Sequence, residues 1–361
     1  MTDPKEPITS HGGGGVESAE NAIELKEVEG LSQGRIVFRR FVRHSGAMVS
    51  LVVLALTVIL AFSSIGINAL FIHTHGWWKW NYVEITPLVN GTQPTLSVIP
   101  KWLGGPGMTL GDHPFGQDEV GHDIFAEVMR GMQQSLMILF VVGIVSTIVG
   151  TIIGAVAGFY RGIADTVLMR LTDMILIIPL ILLTAIIGLT TQSLGLGSFL
   201  FAVVIGLLVW TTLARLVRGE VLALREREFV DAARVAGASN ARIIFRHILP
   251  NSVGVIIVSA TLTMASAILL ETALSYLGFG VHYPDVSLGL LISQYQTSFT
   301  TRPWLFWWPG VFIVIIALTI NFIGDGLRDA FDPRQKRLLN RKARTTKAAA
   351  REVARSAANG A

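Results

Sequence analysis

The chain has 361 residues, of which 51% are hydrophobic and only 15% are charged, and its formal net charge at pH 7 is +4. Soluble domains carry about 25% charged residues, so this composition requires either a very large buried core or a lipid bilayer, and it excludes a disordered or collagen-like chain. Cysteine is absent, which excludes disulfides, thiol nucleophiles and cysteine-ligated metals.

The N-terminal part of the chain changes character twice. Residues 1–34 are polar, acidic and glycine-rich, without the apolar core of a signal peptide, and they predict a disordered cytoplasmic tail. Residues 35–46 combine basic and apolar side chains and predict an interfacial basic helix. Residues 47–67 carry no charge, and a helix of this length would be about 31 Å long, which predicts the first transmembrane helix.

Further uncharged runs follow at 135–159, 174–189, 198–214, 252–270 and 304–324. A polar, glycine-containing turn at 191–197 separates the second of these runs from the third. The third span of the chain is therefore expected to begin near Leu168, with Arg170 and Asp173 paired at its mouth. Six runs of this length favour membrane helices over the core helices of a soluble protein.

The predicted fold class is an all-α integral membrane protein with six transmembrane helices. Residues 68–134 are predicted to form an external segment, 135–327 a five-helix core, and 328–361 a basic tail that touches anionic lipid or stays disordered. If the N-terminus is inside, the inside segments hold 25 of the 29 Lys and Arg residues, which predicts cytoplasmic termini in the cell (inner or plasma) membrane. The basic excess is thus a topology signal, and no nucleic-acid partner is expected.

Two patterns inside the spans concern packing. Gly150, Gly154 and Gly158 recur every four residues on one face of the second span, and Gly143 lies close to that face. Small residues at this spacing let two helices approach closely. Pro179 is expected to kink the third span, and such a kink either lines or gates a pore or serves packing alone.

The loop between the fourth and fifth spans, 214–251, contains the clearest functional pattern. Residues 228–236 favour a short helix with acids near its start, and Gly237 suits a left-handed helix end. Ser239 or Asn240 can cap a second short helix, which meets Pro250 just before the fifth span. These features predict that residues 228–251 form a rigid cytoplasmic helix–turn–helix segment, here called the knuckle, which transmits force from a docked partner. An interfacial amphipathic linker is the alternative.

Residues 228–251 resemble the EAA loop of ABC importer permeases, whose short helix docks in a groove of the ATPase subunit. The family pattern is an acid followed by two alanines, a glycine four positions later and then Leu-Pro, and Asp231 stands where Glu is usual. His247 followed by ILPN resembles the peptide-permease branch, as do segments 113–125, 267–280 and 321–334. The resemblance implies that ATPase docking involves Glu228, Asp231, Ala232, Ala233, Gly237, Ser239, Arg242, Arg246, His247 and Pro250.

The resemblance is to the C-type subunits of dipeptide and oligopeptide permeases, and it implies the type I ABC importer permease fold. It also implies a homologous permease subunit, two ATPase subunits or domains that bind ATP and Mg, an external substrate-binding protein and a short peptide substrate. The chain contains no Gly-Lys dipeptide and hence no phosphate-binding loop, so a translocation subunit without a cofactor of its own is expected, not an enzyme. The alternatives are a permease of the related nickel or metal-complex branch, a secondary carrier not powered by ATP, and a membrane scaffold.

Two segments are candidates for the outer mouth of the pore. Before the second span, Asp118, Glu119, His122 and Asp123 are expected to face the binding protein, and a solvated loop is the alternative. After the fifth span, a short helix beginning at Glu271 is expected to pack back against the mouth, and a packing element without receptor contact is the alternative. The candidate pore and mouth residues are Asp173, Pro179, Glu271, Ser275 and Tyr276. No metal site is expected, because the external histidines lack a tight ligand spacing.

Overall fold

A computed structural model describes residues 33–69, 72–97, 102, 107, 109–193 and 197–331. The predicted tails at 1–32 and 332–361 lie outside the described residues, as do residues 194–196 of the predicted turn. In chain order the helices are α1 (Gln33–Arg43), α2 (Ser45–Ser64), α3 (Ile124–Tyr160), α4 (Gly162–Ile177), α5 (Leu180–Ser193), α6 (Gly197–Val209), α7 (Thr211–Arg225), α8 (Glu228–Val235), α9 (Asn240–Ile243), α10 (Leu249–Tyr276), α11 (Leu288–Tyr295) and α12 (Pro303–Phe331). Two short strands, β1 (Asn68–Ala69) and β2 (Ile72–His73), pair antiparallel.

Within the described residues, four continuous helical segments are long and apolar enough to cross a membrane, namely α2, α3, α12 and the stretch Asn240–Tyr276. Two helix pairs pass the same test when taken together: α4 with α5, bent by 83°, and α6 with α7, bent by 45°. The predicted six spans are recovered when each bent pair counts as one. The predicted kink at Pro179 is confirmed, because α4 ends at Ile177 and α5 begins at Leu180.

The second span begins earlier than the sequence indicated. Its helix, α3, has 37 residues and is about 55 Å long. Asp123 caps it by accepting a hydrogen bond of 3.0 Å from the backbone N–H of Ala126. Residues 124–134, which were predicted to lie in the external segment, therefore form the first turns of the same helix as the second span.

The centre of the bundle is α3, which packs against α7, α6 and α10. The predicted glycine face is confirmed. A Cβ atom at Gly154 would lie 2.5 Å from the backbone oxygen of Ala214 on α7, and one at Gly158 would lie 2.8 Å from that of Arg218. Gly143 instead faces Met264 of α10. The glycine face thus brings the backbones of α3 and α7 into direct contact.

The first and last helices meet at one end of the bundle. The guanidinium of Arg40 on α1 donates to the carbonyl of Ala330 near the end of α12 (3.4 Å), and His44 Nε2 lies 3.5 Å from Asp329. This end also carries α8, α9 and residues 215–251, and we call it the arginine-rich end. The opposite end, formed by the described residues between 65 and 123 and by residues 277–302 together with the start of α12, is called the tryptophan-rich end.

Candidate functional site

The predicted knuckle is a helix, a glycine turn and a second helix at the arginine-rich end. Helix α8 begins at Glu228 and carries Glu228 and Asp231 in its first turn, as its dipole favours. Asp231 forms an exposed ion pair of 3.0 Å with Arg234. Val230 is fully buried and packs in a cluster with residues of α7 and α9, including Val221 and Ile243. This apolar anchor fixes the position of α8 against the bundle.

The turn after α8 has the geometry that the sequence predicted. Gly237 adopts a φ of +78°, and the N–H of Ala238 donates to the carbonyl of Ala233 (3.0 Å). This is the hydrogen-bond pattern of a left-handed helix end, in which glycine avoids the Cβ penalty. Ser239 then caps α9 by accepting from the N–H of Arg242 at 3.4 Å. Both local predictions are confirmed.

The second helix of the knuckle does not end before the fifth span. A π-helical turn, Ile244–Ile248, joins α9 to α10, so that Asn240–Tyr276 is one continuous helical stretch. Pro250 lies in the first turn of α10 and does not break it, because the wider turn just before it accommodates the missing N–H. The sequence predicted a second short helix that meets Pro250 just before the fifth span, whereas in the structure this helix continues into the span.

Two large apolar side chains of the knuckle are exposed. Val235 is 91% exposed and Phe245 is 69% exposed. Of the residues in the docking prediction, Ala232, Arg242 and Arg246 are also exposed, whereas Ala233 and His247 are partly buried. Sequence reasoning missed Val235 and Phe245. For Val235, an apolar residue two positions before a helix-ending glycine is a usable signal, and Phe245 has no comparable signal. Large exposed apolar side chains next to arginines are typical of a protein-binding surface.

Ion pairs tie the first half of the third span to α7. Arg218 binds Asp165 with two nitrogens, one of them at 2.6 Å, and Arg215 pairs with Asp173. The predicted partner of Asp173 was Arg170, one turn away on the same helix, and that prediction was wrong. Asp173 pairs with a residue of α7 because α7 lies alongside α4, so that arginines of α7 are within reach of acids on α4.

At the tryptophan-rich end, two of the four predicted receptor-facing residues are buried. Asp118 accepts hydrogen bonds from the backbone N–H groups of Val120, Gly121 and His122 at 2.7 to 2.9 Å. The side chain of His122 adds a hydrogen bond of 2.8 Å to the same carboxylate. The Asp118 carboxylate therefore stabilises the loop 118–122 from within. Glu119 is exposed, and Arg302 lies 3.4 Å from it.

Asp123 holds two loops together. It accepts from Trp78 Nε1 at 2.8 Å and shares a hydrogen bond of 2.8 Å with His113, besides capping α3. Burial raises the pKa of the Asp123 carboxyl, while the hydrogen bonds from His113 and Trp78 act in the opposite direction. The burial of Asp118 and Asp123 contradicts a direct contact of either residue with the binding protein. Of the four predicted contact residues, Glu119 and His122 remain candidates.

Glu271 lies inside α10 and is fully buried, so the prediction that it begins a separate short helix was wrong. The helix continues to Tyr276 because Gly278, with a φ of +80°, is the residue that ends it. The carboxylate accepts from Ser275 (2.7 Å) and from Ser135 of α3 (3.1 Å). The short helix that packs back at this end is α11, seventeen residues further on.

Helix α11 is fastened to its surroundings by side chains of several elements. Tyr295 donates to Glu127 of α3 at 2.9 Å, and burial, followed by the negative charge of Glu127, raises the pKa of this phenol. Tyr276 donates to Gln296 at 2.6 Å, just beyond α11. The described residues include no group of three or more His, Asp or Glu side chains placed to hold a metal ion.

Comparison with known proteins identifies the family to which the chain belongs. Residues 150–337 match the family of binding-protein-dependent transport system inner membrane components, and residues 32–72 match the N-terminal transmembrane domain of oligopeptide transport permease C. The chain belongs to this family of inner-membrane permeases. The predicted fold class, an all-α membrane protein of the ABC importer permease type, is thereby confirmed.

Two curated relatives match the permease over nearly their whole length. The oligopeptide transport system permease protein OppC of Mycobacterium tuberculosis (strain ATCC 25618 / H37Rv) is 37% identical over 307 residues, covering 85% of this chain and 97% of the relative. OppC of Escherichia coli (strain K12) is 37% identical over 320 residues, covering 89% and 97%. Among solved structures, an inward-facing MetNI methionine ABC transporter matches with a TM-score of 0.46 and 22% identity, over 57% of this chain and 97% of that chain.

Proposed function

We propose that this permease is a transmembrane subunit of an ATP-driven importer that carries short peptides into the cytoplasm. The observation that carries the proposal is the 37% identity to oligopeptide permeases across almost their full length. A homologous permease completes the pore, and an external binding protein delivers the peptide. ATP and Mg bind to two partner ATPase subunits or domains, since this chain has no phosphate-binding loop of the Gly-Lys type.

The knuckle is the proposed ATPase contact. Val235 and Phe245 are the apolar anchors that a groove on the ATPase would bury, and the exposed Arg242 and Arg246 add positive charge to the same segment of the chain. Because α9 continues into α10 without a break, a displacement of the ATPase moves a membrane span directly. A flexible amphipathic linker would lack the buried Val230 anchor and the capped glycine turn.

The tryptophan-rich end is the proposed outer face, where Glu119 and His122 are available to the binding protein. The arginine-rich end, which holds the first and last residues that the structure describes, is then cytoplasmic. This orientation follows the strong asymmetry of Lys and Arg along the chain. In this orientation α11 and Tyr276 lie at the outer mouth of the pore.

Uptake by the reconstituted complex tests the proposal. The permease, its homologous partner and the ATPases are placed in proteoliposomes with the binding protein, and labelled tri-alanine is offered. We expect uptake that requires hydrolysable ATP and the binding protein. Uptake without ATP would indicate a secondary carrier, and uptake of a nickel complex with no uptake of any short peptide would indicate the metal branch; either result contradicts the proposal.

A further inference from the structure

One face of helix α1 is held against the last turns of α12. The guanidinium of Arg40 donates to the carbonyl of Ala330, as described above. A Cβ atom at Gly326 of α12 would lie 3.4 Å from the ring of Phe41, so this ring lies directly over the glycine. The face of α1 that carries Arg40 and Phe41 is therefore used for packing within the molecule.

The opposite face of α1 joins an apolar strip to a row of arginines. Phe38 is 68% exposed, and Val42, one turn later, is 44% exposed. Arg35, Arg39 and Arg43 are exposed as well, and their spacing of four residues places them in one row beside the apolar strip. A helix that exposes apolar and basic side chains side by side is typical of the interface between membrane and water.

The charge of this row is not used inside the molecule. Across the part of the chain that the structure describes, Arg35, Arg39 and Arg43 form no ion pair. Helix α1 itself contains no acid. Arg35 lies in the first turn of the helix, where the helix dipole disfavours a cation. Neither ion pairing nor helix stability accounts for the row, and its charge is available to an anionic partner.

The place of α1 in the chain determines its depth relative to the bilayer. His44 is extended, with φ −82° and ψ 97°, and it separates α1 from α2, which begins at Ser45. The first large exposed apolar side chain of α2 is Val49, about 6 Å along the helix from Ser45. The polar headgroup layer of one leaflet is about 5 to 7 Å thick. The arginine row therefore lies at the depth of the lipid headgroups.

We propose that Arg35, Arg39 and Arg43 bind the phosphate groups of anionic phospholipids, while Phe38 and Val42 insert among the upper acyl carbons. Guanidinium groups form charge-assisted, paired hydrogen bonds with phosphate oxygens, so a row of them favours lipids with a net negative charge. The bilayer then fixes α1 on one side, and α12 fixes it on the other. The inference goes beyond the proposed function and does not depend on which solute the permease carries.

The N-terminal residues of the same chain are the competing partner for the row. Residues 1–32 contain seven acids and two lysines, so they also complement the arginines in charge. The lipid is favoured because the same face exposes the Phe38 ring, and because the apolar stretch of α2 follows immediately in the chain. The test therefore includes a chain that lacks residues 2–32.

The test places a fluorophore beside the row and measures which lipid quenches it. Gly34→Cys is suitable because a Cβ at Gly34 would meet nothing within 4 Å, and the chain has no cysteine of its own. The labelled permease, in a complex whose other subunits carry no reactive cysteine, is reconstituted in phosphatidylcholine vesicles. These vesicles contain nitroxide-labelled phosphatidylglycerol or nitroxide-labelled phosphatidylcholine at the same low density.

We expect phosphatidylglycerol to quench the label at Gly34→Cys at least about fivefold more efficiently than phosphatidylcholine, because each arginine near an anionic surface favours binding by about that factor. The matched control is Leu56→Cys on α2, where the side chain is 60% exposed on an apolar surface. Both lipids are expected to quench that label equally. A ratio near one at Gly34→Cys in the otherwise wild-type chain would overturn the inference.

Charge variants separate headgroup binding from a structural role of the arginines. Glutamine and lysine both favour helices, so α1 is retained when all three arginines are replaced by either. The triple variant Arg35→Gln, Arg39→Gln, Arg43→Gln is expected to lower the quenching ratio to about one, whereas the corresponding triple lysine variant keeps the preference. A glutamine variant with the wild-type ratio would overturn the inference.

Two further outcomes would assign the row to another partner and overturn the inference. The first is loss of the preference in an excess of soluble glycerol 3-phosphate at constant ionic strength, which would indicate a site for a free phosphate. The second is a preference that appears only after removal of residues 2–32, which would indicate that these residues occupy the row. Because quenching is measured without transport, neither result bears on the proposed function.

Discussion

The three glycines on one face of α3 determine how closely its backbone approaches α7. A Cβ atom at Gly154 or Gly158 would lie 2.5 or 2.8 Å from a carbonyl oxygen of α7, and one at Gly150 would lie 2.9 Å from that of Trp210, the residue just before α7. The atoms in the way belong to the helix backbone, which cannot rotate aside as a flexible side chain can. The helices must therefore separate if this face gains even one methyl group.

Gly154→Ala is expected to destabilise the permease by about 1 to 3 kcal/mol, because the added methyl group overpacks the α3–α7 contact. The matched control is Gly219→Ala on α7, where a Cβ would meet nothing within 4 Å and the substitution is expected to stabilise the helix by about 0.5 to 1 kcal/mol. The two variants should shift the apparent Tm of the purified complex in opposite directions. A Gly154→Ala complex as heat-stable as wild type would show that α3 and α7 are not in backbone contact.

At the scale of elements, the knuckle depends on one left-handed residue. Gly237 has open space where a Cβ would lie, so a substitution there is disfavoured only by backbone conformation. Asparagine adopts this conformation far more readily than a β-branched residue does. The position thus separates the effect of turn geometry from any effect of lost or added contacts.

Gly237→Val is expected to reduce both peptide uptake and the amount of ATPase that co-purifies with the permease, because the strained turn would tilt α8 away from α9. Gly237→Asn is the control and is expected to stay close to wild type in both measurements. The strain of about 1 to 2 kcal/mol in the Val variant is too small to prevent membrane insertion. Similar uptake and co-purification in the two variants would contradict the docking assignment.

Elements with local signals were predictable from the sequence, and those that depend on distant neighbours were not. The turn at Gly237, the cap at Ser239 and the kink at Pro179 are set by residues within one or two helical turns. The partner of Asp173 is set by which helix lies beside α4, and the burial of Asp123 is set by a loop 45 residues earlier in the chain. Single-sequence patterns carry no information on such contacts.

Continuity between elements was the other feature that the sequence did not reveal. Pro250 is a helix breaker in most contexts, yet a single π turn lets α9 pass into α10. For Glu271, a carboxylate after an apolar run indicated a span end, whereas two serine hydroxyls keep it inside the helix. In both cases the outcome depends on hydrogen-bond partners that composition alone does not specify.

At the scale of the whole molecule, one helical stretch connects the proposed sites. Asn240–Tyr276 begins in the knuckle and reaches the Glu271 contacts with α3 near its far end. Its 37 residues make it about 55 Å long. A stiff element of this length can couple events at the arginine-rich end to the tryptophan-rich end, provided that the two ends lie on opposite sides of the membrane.

Single cysteines test that orientation directly, because the chain has none of its own. Val83→Cys at the tryptophan-rich end, where Val83 is 62% exposed, should react with a membrane-impermeant maleimide in intact cells. Ser239→Cys, in the knuckle, should react only after the cells are permeabilised. The physical reason is that the segments assigned to the inside hold 25 of the 29 Lys and Arg residues, and basic loops of this kind are retained in the cytoplasm. Labelling of Ser239→Cys from outside would show that the orientation is the opposite of the proposed one. The knuckle would then lie on the side of the membrane away from any ATPase.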